Sequence, residues 1–270
     1  MNCSIYFIQG VKLLRKIILA YNRMARSFLK NKRRANKKSK LSFAQRVQRV
    51  INGAQETKKA VYQSGLIAFN SPMTATGDVL RIMPDVPTGS NSWQRTGQRI
   101  TLTKVVIRGY ITTTGAATTN PSRARYGVRH MLLADKQKND WQNVTTTDLA
   151  GLLEGVSAAG QYFDGTVATY MTPVNREAFT SRMDKKFPIT QIYEEGDDGK
   201  AASNNGIKFF TKTLTFGTNG KELYFEGSNH PINFKYFMSL GYCYLDGSAP
   251  DTTSTDIQMS YTATAYYKDA

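Results

Sequence analysis

The sequence predicts an all-β protein, a two-sheet sandwich preceded by a basic segment with too little apolar content to fold on its own. Two observations carry this reading. From residue 61 onward apolar residues recur with a period of two, the signature of strands, in which successive side chains point to opposite faces. The charge is also split: residues 1–60 hold 16 Lys and Arg against one acid, whereas residues 61–270 hold 20 against 19. Most of the aromatic residues, 11% of the chain, fall in the second region together with many Thr, Gly and Asn, a mixture suited to strands joined by turns.

Residues 1–60 therefore read as a disordered basic N-terminal arm, and residues 61–270 as one folded domain. The charge is densest over 23–40, RMARSFLKNKRRANKKSK. Like charges at this density repel one another, and few apolar side chains are present to offset the entropy of ordering. Such a run binds polyanions, because Lys and Arg pair with phosphates and release condensed counterions without needing a particular sequence. The residues predicted to do this are Arg23, Arg26, Lys30, Lys32, Arg33, Arg34, Lys37, Lys38 and Lys40, continued by Arg46 and Arg49. The runs Lys30-Asn31-Lys32-Arg33-Arg34 and Lys37-Lys38-Ser39-Lys40 also suit a nuclear-import signal read by host import machinery. Residues 1–23 are expected to be either an amphipathic helix or absent from the mature protein, which would then begin at or just after Met24. Lys12, Arg15 and Lys16 interrupt the apolar stretch there, so no membrane span is expected. A short helix is expected at 42–52, where Ser42-Phe43-Ala44-Gln45 fits a capping box.

Strands are predicted at 61–69, 79–83, 100–114, 126–134, 179–193 in pieces, 207–216, 232–245 and 257–267. The cleanest is 232–245, where Ile232, Phe234, Tyr236, Met238, Leu240, Tyr242 and Tyr244 share one face. The stretch 100–114 carries apolar residues on both faces, which predicts a strand covered on both sides. Asn219-Gly220 predicts a hairpin between 207–216 and the KELYF that follows, and Asp246-Gly247 predicts a turn. TTTDLAGLLE at 145–154 is the one helix expected in the domain. About eight strands joined by long loops point to a single jelly-roll β-sandwich of two sheets rather than a meander. The loops 70–78, 84–99, 135–178 and 194–206 are expected at the ends of the sandwich, where partners are met.

Catalysis finds no carrier in this composition, and no cofactor is expected. Of two histidines, His130 falls in a predicted strand and His230 beside Pro231, and the two cysteines, Cys3 and Cys243, make no Cys-x-x-Cys pair. A Walker A loop and a dinucleotide fingerprint are both missing. The run Glu194-Glu195-Gly196-Asp197-Asp198 reads as a solvated loop, with a divalent cation between subunits as the sharper alternative. A competing site lies on the domain itself, where Arg95, Arg99, Arg108, Arg123, Arg125 and Arg129 would form a patch.

Several stretches, taken in order, resemble a known family. They are Arg95-Thr96-Gly97-Gln98-Arg99-Ile100 running into Val105-Val106-Ile107-Arg108-Gly109-Tyr110, then residues 128–137 (VRHMLLADKQ), 175–179 (NREAF) and 183–187 (MDKKF), and the closing aromatic strand pair. In this order they resemble the capsid proteins of small circular Rep-encoding single-stranded DNA viruses of the circovirus-like kind. The resemblance implies a non-enzymatic shell domain at 61–270. Its copies would tile an icosahedral virion of about 60 subunits, with the basic arm inside on the single-stranded DNA genome. It also implies assembly in the host nucleus. Capsid proteins of small RNA viruses share such jelly rolls, and a non-catalytic single-stranded nucleic-acid-binding protein is the further alternative.

Overall fold

Among the described residues from 56 on, ten strands and three short helices follow in the order β1 (Thr57–Gln63), β2 (Ile67–Phe69), β3 (Leu80–Arg81), β4 (Arg99–Thr113), β5 (Arg125–Asp135), a 3-10 turn (Trp141–Asn143), α1 (Thr146–Leu149), α2 (Val167–Met171), β6 (Phe179–Thr190), β7 (Ile207–Thr215), β8 (Lys221–Tyr224), β9 (Tyr236–Tyr244) and β10 (Ile257–Asp269). The structure is a computed structural model that describes residues 43, 47, 50, 56–73, 78–114, 125–155, 160–190, 206–248 and 255–269. The chain divides into two units, residues 1–54 and 55–270. In the first, Phe43, Val47 and Val50 of the expected short helix are helical and exposed.

The second unit is a jelly roll. One sheet has the order β1-β10-β4-β7, with β2 extending the β1 side along β10 and β8 extending the β7 side along β4. The other has the order β3-β9-β5-β6. All pairings are antiparallel. Because β1 with β2 and β7 with β8 each act as one interrupted strand, the sandwich has four strands per sheet, and the chain passes repeatedly from one sheet to the other. The predicted hairpin at Asn219-Gly220 is not formed. β7 and β8 lie end to end along the 15-residue β4, β7 pairing with 104–112 and β8 with 99–102. Gly217 and Gly220 take positive φ there (76° and 71°), and a Cβ on Gly220 would stand 2.8 Å from the carbonyl oxygen of Leu102.

Between the sheets lies an apolar core built from alternate residues. β10 contributes Ile257, Met259, Tyr261, Ala263, Ala265 and Tyr267, while β9 contributes Tyr236, Met238, Leu240, Tyr242 and Tyr244. The face predicted for 232–245 is therefore the inward one, apart from Ile232, which is exposed. Three tyrosines, Tyr126, Tyr242 and Tyr244, meet with ring centroids 5.9 to 6.1 Å apart. The hydroxyl of Tyr244 donates to Asp256 at 2.8 Å, and the backbone N–H of Asp256 donates to the Tyr242 hydroxyl at 3.2 Å.

Which strand is covered twice differs from the sequence prediction. β4 sends Ile100, Leu102, Val105, Ile107 and Ile111 inward, while Thr101, Arg108, Tyr110 and Thr112 on its other face remain half-buried or exposed. A bulge accounts for part of its two-faced appearance: Tyr266 pairs with Lys104 and Tyr267 with Leu102, which leaves Thr103 as the extra residue and brings Leu102 onto the inward face, whereas Val106 and Tyr110 stand on the outer one. The strands buried on both faces are β5 and β9. Their outer sides, Met131, Leu133, Phe237 and Cys243, pack under Met73, Val144, Leu149, Leu152, Leu153, Phe163, Tyr170 and Val174. Much of the 135–178 loop thus lies over the face of the second sheet instead of crowding an end of the sandwich. Gly241 permits this close approach, since a Cβ there would sit 2.7 Å from Phe163 and 2.8 Å from Met73.

Candidate nucleic-acid interface

The eleven basic residues predicted to meet nucleic acid, Arg23 through Arg49, lie outside the described residues, as do Arg123 and the acidic run 194–198. The arginine patch anticipated on the domain divides into two kinds. Arg129 and Arg95 are buried and fully engaged in holding the fold. Arg129 is 0% exposed; its Nε and Nη2 donate to the two carboxylate oxygens of Asp184 at 2.9 and 2.7 Å, and its Nη1 donates to the carbonyls of Thr169 and Thr172 at 2.9 and 2.7 Å. It therefore ties β5 to β6 and caps the C-terminal carbonyls of α2, where Lys186 also donates to Met171 at 2.9 Å. Arg95 donates to the carbonyls of Val86, Gly97 and Ser228 at 3.0, 2.7 and 3.0 Å, with its guanidinium 4.4 Å from the Phe225 ring centroid. A charge so committed has nothing left for a phosphate. Arg99, Arg108 and Arg125 are exposed.

Of these three, Arg99 and Arg108 stand on the outer face of the first sheet, which, unlike that of the second, has no apolar layer packed on it among the described residues. Strand register defines its rows. Lys59 of β1, Tyr266 of β10, Lys104 of β4 and Thr215 of β7 form one row; Gln63, Thr262, Arg108 and Thr211 form another; Ser260, Tyr110 and Phe209 form a third. Four strands at the usual spacing make this face about 14 Å wide. The Lys104 ammonium lies 4.7 Å from the Tyr266 ring centroid, and Tyr110 and Phe209, the latter 76% exposed, have centroids 6.3 Å apart. Strands β1, β2, β4, β7 and β10 contain a single acid, Asp269, which accepts from Lys58 at 2.6 Å and from Thr96. On β8, Glu222 pairs with Arg99 at 3.7 Å. The face is a platform of ammonium, guanidinium and threonine hydroxyl donors with one exposed ring, Phe209, and the half-buried Tyr110 and Tyr266, a set that suits phosphate oxygens and bases.

Charge on the near-neutral domain is thus segregated. The strands of the first sheet hold nine Lys and Arg against two acids, whereas the strands of the second sheet together with residues 136–178, most of which overlie it, hold nine against seven. Sequence reasoning did not single out Lys59, Lys104 or Lys268; the available signal was the polar half of the alternation in β10, Gln258, Ser260, Thr262 and Thr264, which marked an open face.

Both histidines are held neutral. Burial lowers the pKa of His130 to about 3, helped by Lys185, and the ring packs against Phe210 at 4.5 Å. His230 is lowered to about 4 by burial and by Arg81, against the pull of Asp85. Burial raises Cys243 to about 11, so its thiol stays protonated within the layer covering the second sheet. Among the described residues no helix is long and apolar enough to cross a membrane. No family model matches the chain, and a search of curated proteins returned no match.

Proposed function

We propose that this chain is a non-catalytic viral capsid subunit that assembles into an icosahedral shell and packages single-stranded DNA, with its basic arm and the open face of the first sheet turned toward the genome. The observation that carries this reading is charge segregation on a jelly roll. A sandwich with a sealed second sheet and a cationic first sheet is suited to separate an outer from an inner surface, and β1, the first strand after the basic segment, belongs to the cationic sheet. Tiling copies with that side inward lines a cavity with positive charge. At 15 net charges per arm and about 60 copies, roughly 900 phosphates would be neutralised by the arms alone. The import-type basic runs fit assembly in a host nucleus, and the arm fits a DNA or an RNA strand by the same electrostatics.

A second reading, a single-stranded nucleic-acid-binding protein without a shell, draws on the half-buried Tyr110 and the exposed Phe209 beside Arg108. Negative-stain electron microscopy of the purified full chain separates the two. Uniform closed particles are expected for a capsid subunit, whereas monomers or small oligomers that bind single strands would replace the capsid reading with the second one.

A further inference from the structure

β6 and β7 end their respective sheets on the same side of the sandwich, and beside the buried Met183, Ile189 and Leu214 they turn several charged side chains toward the interior. Lys208, Phe210 and Lys212 of β7 face Lys185 and Phe187 of β6, so cations and rings alternate. The Lys208 ammonium lies 6.0 Å from the Phe187 ring centroid, and Phe210 packs on His130. Farther along the same edge the Arg182 guanidinium and the Lys221 ammonium flank the Tyr236 ring at 5.7 and 5.9 Å, and Phe216 meets that ring at 5.6 Å. Arg182 reaches this position because it is the extra residue of a bulge, between Met183 opposite Leu132 and Ser181 opposite Leu133. Lys235 stands close enough to Lys221 to disfavour its charge, in addition to the effect of burial.

None of these six cations has a carboxylate partner among the described residues. Inward lysines on an edge strand protect it from pairing with other strands, but that role requires neither rings between the cations nor charges beyond the ends of β7. Most acids of the described domain are also committed locally. Asp135, Asp140, Asp148 and Asp164 accept from turn and helix-start N–H groups, Asp184 holds Arg129, and Asp269 holds Lys58. Among the described residues no acidic face complements this edge, and a polyanion has the charge that would. From 208 to 216 the edge runs about 26 Å, the length of about eight phosphates of a stacked strand at ~3.4 Å each.

We infer that the β6–β7 edge is a track for single-stranded nucleic acid, with phosphates on its cations and bases against the half-buried rings of Phe187, Phe210 and Phe216. The inference rests on the reading that this protein binds nucleic acid, and adds to the arm and the open face a contact made by the sandwich edge.

The test uses the full chain and a fluorescein-labelled oligothymidylate of about 20 nucleotides, with binding followed by anisotropy across a salt series. Lys185→Gln/Lys208→Gln/Lys212→Gln removes three charges from exposed or half-exposed positions, and an unchanged circular-dichroism spectrum and thermal midpoint establish that the variant is folded. The logarithmic salt slope is expected to become shallower by about 2, at roughly 0.7 per phosphate contact on a single strand. Photocrosslinking with 5-iodouracil in the oligonucleotide should place adducts on Phe187 or Phe210. A parent-like slope without ring adducts overturns the track while leaving the arm reading intact. Failure of the unmodified chain to bind the oligonucleotide overturns both. A variant that keeps its slope but loses self-association in sedimentation also overturns the track, assigning the edge to an acidic segment of a second copy, such as residues 194–198.

Discussion

Replacing Asp184 with alanine isolates the one fully buried cation in the described sandwich. In the parent protein the Arg129 guanidinium is 0% exposed and forms a two-pronged pair with Asp184 at 2.9 and 2.7 Å, while its remaining amino group serves the carbonyls of Thr169 and Thr172. In Asp184→Ala the carbonyl contacts survive, but Nε and Nη2 lose their acceptors and the positive charge its counterion. Removing one partner of a buried pair costs about 3–5 kcal/mol. The Asp184 side chain is 24% exposed, so water reaches its position and the loss should fall near the lower end, about 3 kcal/mol. Arg129→Met removes the cation instead, and the partly exposed Asp184 rehydrates; the cost is then that of the orphaned carbonyls, about 1–3 kcal/mol. The double variant should cost less than the sum of the singles by about 1–3 kcal/mol. Urea unfolding followed by circular dichroism reads this directly, because at a slope of about 2 kcal/mol per molar a 3 kcal/mol loss moves the midpoint by about 1.5 M. A loss below about 1 kcal/mol for Asp184→Ala, or additive singles, would refute the idea that this pair fastens α2 and the covering layer to the second sheet.

Phe234→Ala empties a 0% exposed position among Phe216 and Tyr236 and should cost about 3–5 kcal/mol in the same assay; parent-like stability would mean that the ring is not a core residue. His130 gives the domain an acid sensitivity whose sign is fixed by its pKa of about 3. Above pH 6.5 the ring is neutral whether folded or unfolded, and below it the unfolded chain takes up a proton that the folded protein refuses. Stability therefore falls by up to about 1.4 kcal/mol per pH unit, reaching about 3 kcal/mol by pH 4. Comparing unfolding at pH 7 and pH 4, His130→Leu should lose less stability on acidification than the parent; an equal loss would show that the histidine does not contribute.

Most of the sandwich was legible in the alternation of residues such as Phe234 to Tyr244 and Ile257 to Tyr267, because a strand with one buried face writes its period into the sequence. The turn at Asp246-Gly247 was legible for a similar reason: Gly247 takes φ 79° and Asp246 accepts from the N–H and hydroxyl of Ser248. What remained hidden depended on distant partners. Arg129 reads as a surface charge until Asp184 and the α2 carbonyls come to meet it from positions 55 and about 40 residues away. The two-faced pattern of β4 recorded the bulge at Thr103 together with Val106 and Tyr110 on the outer face, and not a second covering layer. α2 escaped detection because five residues, VATYM, are too short to show helical periodicity, and its start is set by Thr166 accepting from the N–H of Thr169. The predicted helix at 145–154 shrank to Thr146–Leu149, the covering layer taking the leucines that follow as irregular backbone. Of the candidate site, the sequence marked the arm, whereas the open face of the first sheet required the strand register to bring Lys59, Lys104 and Arg108 onto one surface.

The measurement that bears most directly on the proposal of a cationic arm joined to a self-assembling shell domain is the nucleic-acid content of nuclease-treated material from the full chain and from a chain lacking residues 23–40. The full chain should yield particles that retain protected nucleic acid. The shortened chain, stripped of most of the arm's excess charge, should keep its β circular-dichroism spectrum, lose most of its binding at about 0.15 M salt and protect little or none. Equal protected nucleic acid per subunit in both would place packaging on the folded domain and contradict the account.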